Sequence, residues 1–97
     1  MEDALDAAVC EDWLPAMAEQ PGFISAASVK PFLDSDLEAL GALKPDAEVE
    51  AVCFWESEQA RLEWVARPLH DEVFARVIDA ADSVSYTLQN VDKSWGV

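Results

Sequence analysis

His70 is the single histidine in this chain of 97 residues. Proton transfer or metal chemistry near neutral pH would therefore have to centre on it, as a shuttle or a ligand. The plainer reading is a histidine in the first turn of a helix after Pro68, packed near a subunit boundary. Trp64, just upstream, could stack on an aromatic substrate or fill the core. Tyr86 and Asn90 share one face of an alternating segment with Leu88 between them. Such a pair could orient a polar group in a mostly apolar pocket, or the two could simply satisfy each other and the backbone. Phe54 and Trp55 point to opposite faces of one strand, so one of them meets any cavity over the sheet; otherwise both serve core or interface. His70, Trp64 and Tyr86 are thus the candidate catalytic residues, and Trp55, Phe54 and Asn90 the candidate ligand-binding residues. A lone histidine excludes most triad and zinc arrangements, and no P-loop or paired-carboxylate pattern is present. Neither metal nor cofactor is called for. Cys53 shows no basic neighbour that would activate a thiolate.

The elements that must position these residues follow from periodicity. Leu5, Ala8, Val9, Trp13, Ala16 and Met17 recur at helical spacing over residues 2–19, with Pro15 expected to kink or restart the helix and Pro21-Gly22 to end it. Residues 23–30 read as a strand rich in small side chains, closed by Pro31. Asp34-Ser35-Asp36 ahead of Leu37, Leu40 and Leu43 suggests a short capped helix, and Lys44-Pro45-Asp46 a turn. Residues 48–56 form the clearest strand: Val49, Ala51, Cys53 and Trp55 on one face, Val52 and Phe54 among glutamates on the other. Its middle is apolar on both faces, which predicts an interior strand covered on both sides. Ser57 is a good N-cap for the next helix, and Pro68 divides it from a second one of about twelve residues. Residues 83–91 alternate again and read as a last strand. The order α-β-(short α)-β-α-β is an α+β pattern with helices on one face of the sheet.

Composition narrows the setting. One domain spans 1–97. Twenty acidic and six basic residues give a net charge of −14, a field that repels nucleic acid and anionic membrane surfaces. Hydrophobic residues make up 52% of the chain, including four Trp and four Phe, an excess that suggests a subunit interface or ligand cavity beyond the monomer core. Cys10 and Cys53 form no Cys-x-x-Cys pair and read as buried reduced thiols. The N-terminus lacks the pattern of a signal peptide and no apolar run approaches a membrane span, so the expected location is cytoplasmic.

At Phe54-Trp55-Glu56-Ser57-Glu58, followed by Trp64 and Pro68-Leu69-His70, and with Gln20-Pro21-Gly22-Phe23 between first helix and strand, the chain resembles the antibiotic-biosynthesis-monooxygenase family. The likeness covers nearly the whole chain and is carried by the order of short motifs. It implies a ferredoxin-like βαββαβ protomer, two of which pack sheet against sheet into a homodimeric α/β barrel. It also implies cofactor-independent mono-oxygenation of a phenolic or quinol-type substrate, with Trp64 at the position of a cavity tryptophan. In haem-binding members the ligand histidine falls further along the second helix, near Phe74, so haem chemistry is disfavoured. The chain departs from the family in starting directly with the first helix, which removes the central first strand and the Asn that oxygenase members carry there. Unpaired buried backbone groups cost roughly 1–3 kcal/mol each. Three resolutions follow: Met1 is internal to a longer protein, the last strand closes on residues 48–56 through a right-handed crossover, or a partner donates a strand. The expected function is a cofactor-independent monooxygenase or a binder of a small aromatic or lipophilic molecule; the alternative is a non-catalytic dimerisation domain. Convergence of Trp64, Tyr86 and His70 on an enclosed pocket would favour the former.

Overall fold

Residues 2–18 form one helical rod whose middle is not α-helical. In this computed structural model, which describes residues 2–96, α1 (Glu2–Ala7) passes into a π-helical turn (Ala8–Trp13) and returns to α2 (Leu14–Ala18). Met1 and Val97 lie outside the described residues. Pro15 supplies the physical reason. In a regular helix its ring would meet the carbonyl four residues back, and it has no N–H to donate. The Leu14 N–H instead reaches back five residues to Val9 O, and this wider turn carries the chain past the obstruction. The helix widens just before Pro15, and an α-helix restarts at Leu14 with Pro15 in its first turn, as the proline led one to expect.

Gly22 turns the chain at φ +83° and launches β1 (Phe23–Val29), which pairs antiparallel with β2 (Glu50–Trp55) from Phe23↔Trp55 to Val29↔Glu50, with an irregularity between Phe23 and Ser25. Between the strands lies α3 (Asp34–Leu40). No side chain caps its N-terminus, so the aspartates there act only as first-turn charges; Gly41 closes it at φ 68°. Ser57 caps α4 (Glu58–Val65) as the sequence indicates, its Oγ accepting the Ala60 N–H at 3.1 Å. Pro68 opens α5 (Pro68–Ala80), where its missing N–H costs nothing. The fold is α+β: a two-stranded antiparallel sheet with four helices, the rod 2–18 counted as one.

The core divides in two. Ala8, Val9 and Val77 form one cluster, edged by Leu5, Val49 and Phe74; Met17, Trp64 and Val73 form the other, edged by Phe23, Cys53 and Trp55. Trp13 and Leu14 touch both. The helices therefore cover the sheet face that carries Phe23, Cys53 and Trp55. The opposite face is open, with Val52 39% and Phe54 41% exposed. The molecule is only 18 Å thick in its shortest dimension, room for one helix layer of about 10–12 Å on one sheet and nothing beyond.

Four expectations are corrected here. Residues 83–91 form no strand; they are an exposed segment without regular secondary structure. A strand exists only where a neighbour takes up its backbone groups, and among the described residues no backbone–backbone hydrogen bond outside the helices and the β1–β2 ladder involves residues 49–55 or 82–96. The crossover closure of the last strand onto β2 is therefore not adopted, and β2 is an edge strand, not an interior one. Cys10 is exposed, not buried; its thiol donates to Asp6 Oδ1 one turn back on the helix surface.

The Gly22 turn yields a stability prediction. A β-carbon at residue 22 would stand 2.5 Å from Ala60 Cβ, at a backbone angle that side chains disfavour. Gly22→Ala should lower unfolding free energy by about 2–4 kcal/mol, the sum of left-handed strain and overpacking. Urea denaturation checks this, and Ala60→Gly in the same chain should restore the steric part but not the conformational part.

Candidate functional site

The chemistry-bearing residues that the fold does bring together lie where the π-helical turn, α4 and α5 meet. α5 presents His70 in its first turn and Phe74 one turn later, on the same helix face; their rings stack at 5.2 Å and 24°. Trp64 from α4 meets the imidazole edge-on, 5.1 Å away at 90°. Trp13, the last residue of the π-helical turn, lies 5.2 Å from Phe74 and 6.5 Å from His70. His70 is thus boxed by three aromatic rings and is 8% exposed.

Three nitrogens in this box, Trp13 Nε1, Trp64 Nε1 and His70 Nδ1, are buried without a hydrogen-bond partner. Buried polar atoms ordinarily find one, so this is the most polar-demanding spot in the core. Asp71 Oδ1 stands 3.9 Å from His70 Nδ1, too far for a hydrogen bond. Burial pushes the imidazole pKa below its ordinary 6.5, and the Asp71 carboxylate opposes that only in part. The resting His70 is therefore a neutral imidazole, able to act as a base but poorly suited to hold a proton.

The remaining candidates are dispersed. Trp55 is half-buried on the helix-covered face, its ring edge-to-face with Phe23 at 5.6 Å. Phe54 projects from the opposite, open face. Tyr86 is 80% exposed in the irregular segment after α5, within electrostatic reach of Arg61 on α4, and Asn90 is exposed on the same segment. The fold thus unites Trp64 with His70 and leaves Tyr86 and Asn90 outside. Trp13 and Phe74 complete the box without having been singled out as site residues. The His70–Phe74 spacing is legible as adjacent turns of one helix, and periodicity turns Trp13 towards the core, but nothing in the sequence announces that it meets these two rings.

Around the box the surface is shallow. An open cleft of about 280 Å³ runs between the Gly22 turn and α4, with Trp64 in its wall and Gln20, Glu56, Ser57, Glu63 and Arg67 about it. Its lining is mixed polar and apolar and it opens to solvent; it is not an enclosed apolar pocket. At its margin Glu58 accepts a hydrogen bond from Arg61, which lowers the carboxyl pKa. Cys53 sits half-buried near Trp64, and burial raises its thiol pKa, the opposite of what a nucleophile needs. Among the described residues no cluster of three or more His, Cys, Asp or Glu side chains could hold a metal ion, and no helix is long and apolar enough to cross a membrane.

No family model, curated protein or solved structure matches the chain.

The buried imidazole makes stability pH-dependent in a defined direction. The folded-state pKa lies below 6.5 while the unfolded chain titrates near that value, so below it the unfolded state binds more protons. This contribution is intact above pH 6.5 and is lost as pH falls towards the folded pKa. In His70→Phe, urea unfolding between pH 7.5 and 5 should show a shallower loss of stability than in the native chain. An identical slope in both would show that His70 does not titrate in a buried setting.

Proposed function

We propose that the chain is a homodimer-forming α+β module, an interaction domain whose uncovered sheet face packs against the same face of a second copy. The carrying observation is that face. Val52 and Phe54 from β2, Val29 from β1, and Ile24 beside the strand irregularity are 39–58% exposed on a sheet that has helices on its other side only. Glu50 is the one charge in the register of that face, at its far end. In a chain of net charge −14, an uncharged patch is where two identical acidic molecules can approach. The accessible surface, 7650 Å², exceeds the roughly 5500 Å² expected for a compact monomer of this mass by about 2000 Å². A standard interface removes about 800 Å² from each partner. The radius of gyration, 14.9 Å, is likewise larger than the 12–13 Å or so of a compact chain of this length. Unpaired Cys10 and Cys53 support a reducing, cytoplasmic setting for such a dimer.

Sedimentation of the reduced protein should give twice the 10.7 kDa chain mass. Phe54→Glu, which places a charge in the middle of the apolar face, should weaken the dimer by about 100-fold or more, some 3 kcal/mol. A native chain that stays monomeric at high micromolar concentration would overturn the proposal.

A second reading, a binder or cofactor-independent oxygenase of small aromatic molecules akin to the antibiotic-biosynthesis monooxygenases, is favoured by one observation: the three partnerless nitrogens beside Trp64. A phenolic or quinone ligand could answer their hydrogen-bonding need, and His70 could take its proton. Tyr86 lies outside the box and takes no part in this reading. Titration with a soluble quinol should then quench tryptophan fluorescence saturably, with oxygen uptake lost in His70→Phe. Unsaturable quenching would leave dimerisation as the function.

A further inference from the structure

We propose that residues 83–91 are an exchange strand that adds to the free edge of β2 in a second copy of this chain, so that each protomer supplies the third strand its partner lacks. The proposal rests on the dimer reading above and goes beyond it by naming the edge and the segment.

The first support is a conflict within β2. Ala51 to Trp55 is apolar on both faces, the composition of an interior strand, yet β2 has a neighbour on one side only. β1, with Ser25, Ala26, Ala27 and Ser28, has the lighter composition of an edge. The missing neighbour therefore belongs on the β2 side.

The second support is the segment. Val84, Tyr86 and Leu88 alternate with Ser85, Thr87 and Gln89, the two-residue period of a strand. No residue from 83 to 91 is charged, although 27% of the chain is. Its backbone makes none of the main-chain hydrogen bonds of the described structure, and Val84, Tyr86, Leu88 and Val91 are 47–80% exposed. A neutral, β-patterned, unpaired segment and a neutral, apolar, unpaired edge are complementary through main-chain hydrogen bonding, the strand-addition mode of recognition.

The choice of a second copy over the same chain follows from the tether. α5 ends at Ala80, and only Ala81 and Asp82 precede the segment. Tyr86 feels the charge of Arg61 on α4, and the segment shares no main-chain hydrogen bond with its own β2 among the described residues. A short hinge that does not close on its own sheet favours exchange between identical molecules. The added strand would also extend the apolar sheet face proposed to meet its mate.

Amide hydrogen exchange on the full, reduced chain tests this alongside sedimentation. At concentrations where the native protein is dimeric, amides in 83–91 should be slowed by about 100-fold or more, and dilution to monomer should abolish that protection. Thr87→Pro, which removes a ladder donor, should weaken the dimer by at least about tenfold while leaving the helical circular dichroism unchanged. A dimer whose 83–91 amides exchange freely and whose affinity is untouched by Thr87→Pro overturns the exchange strand but leaves the face-to-face dimer standing. Protection that persists in monomeric Phe54→Glu means the segment pairs within its own chain, and also overturns it. A monomeric native chain overturns both readings.

Discussion

Trp64 is the side chain on which the arrangement depends. At 1% exposure it gathers Met17 from α2 and Val73 from α5 into one cluster, with Phe23, Cys53 and Trp55 of the sheet around it. α4 offers little else: Leu62 and Val65 remain largely exposed, so this helix is held to the protein mainly through one indole. A buried Trp is worth about 3–5 kcal/mol against alanine, a large part of the 5–15 kcal/mol that stabilises a domain. Because the same indole forms a wall of the box around His70, fold and candidate site are one structure.

The opposite side of the sheet answers to a different constraint. A sheet has two faces, and this chain covers only one. Charge is sparse on the open face, where Glu50 alone carries it, and residues 83–91 carry none. Exposed apolar side chains lie in the same two regions.

Much of the architecture was legible because it rests on local chemistry. Ser57 caps α4, Pro68 starts α5, Pro21-Gly22 ends the first helix, and the alternation in β2 marks that strand and its faces. What was not legible depends on neighbours. Residues 83–91 carry a strand's pattern, but pairing is a property of two segments, and the protomer supplies no second one. The two-sided apolar character of β2 pointed to an interior strand, but in the structure β2 has one neighbour and one open face. Within the site, Trp64 beside His70 was foreseeable from adjacent helices, whereas Tyr86 and Asn90 were placed there only by assuming a strand in the sheet. Trp13 was placed by helical periodicity on the apolar face of the first helix, where it does pack against both clusters, but was not named as a site residue.

That periodicity has a consequence for how the chain tolerates change. Val9 and Met17 are eight positions apart, which at 100° per residue would set them about 80° apart around a regular helix; the π-helical turn absorbs roughly one residue and brings them nearly into line. The rod thus carries a stored insertion. Deleting one residue within 8–13 would let the helix become regular without turning Met17 away from Trp64, whereas the same deletion in α2 would swing the cluster apart. The first helix works as a vernier, its fine setting held by a single proline.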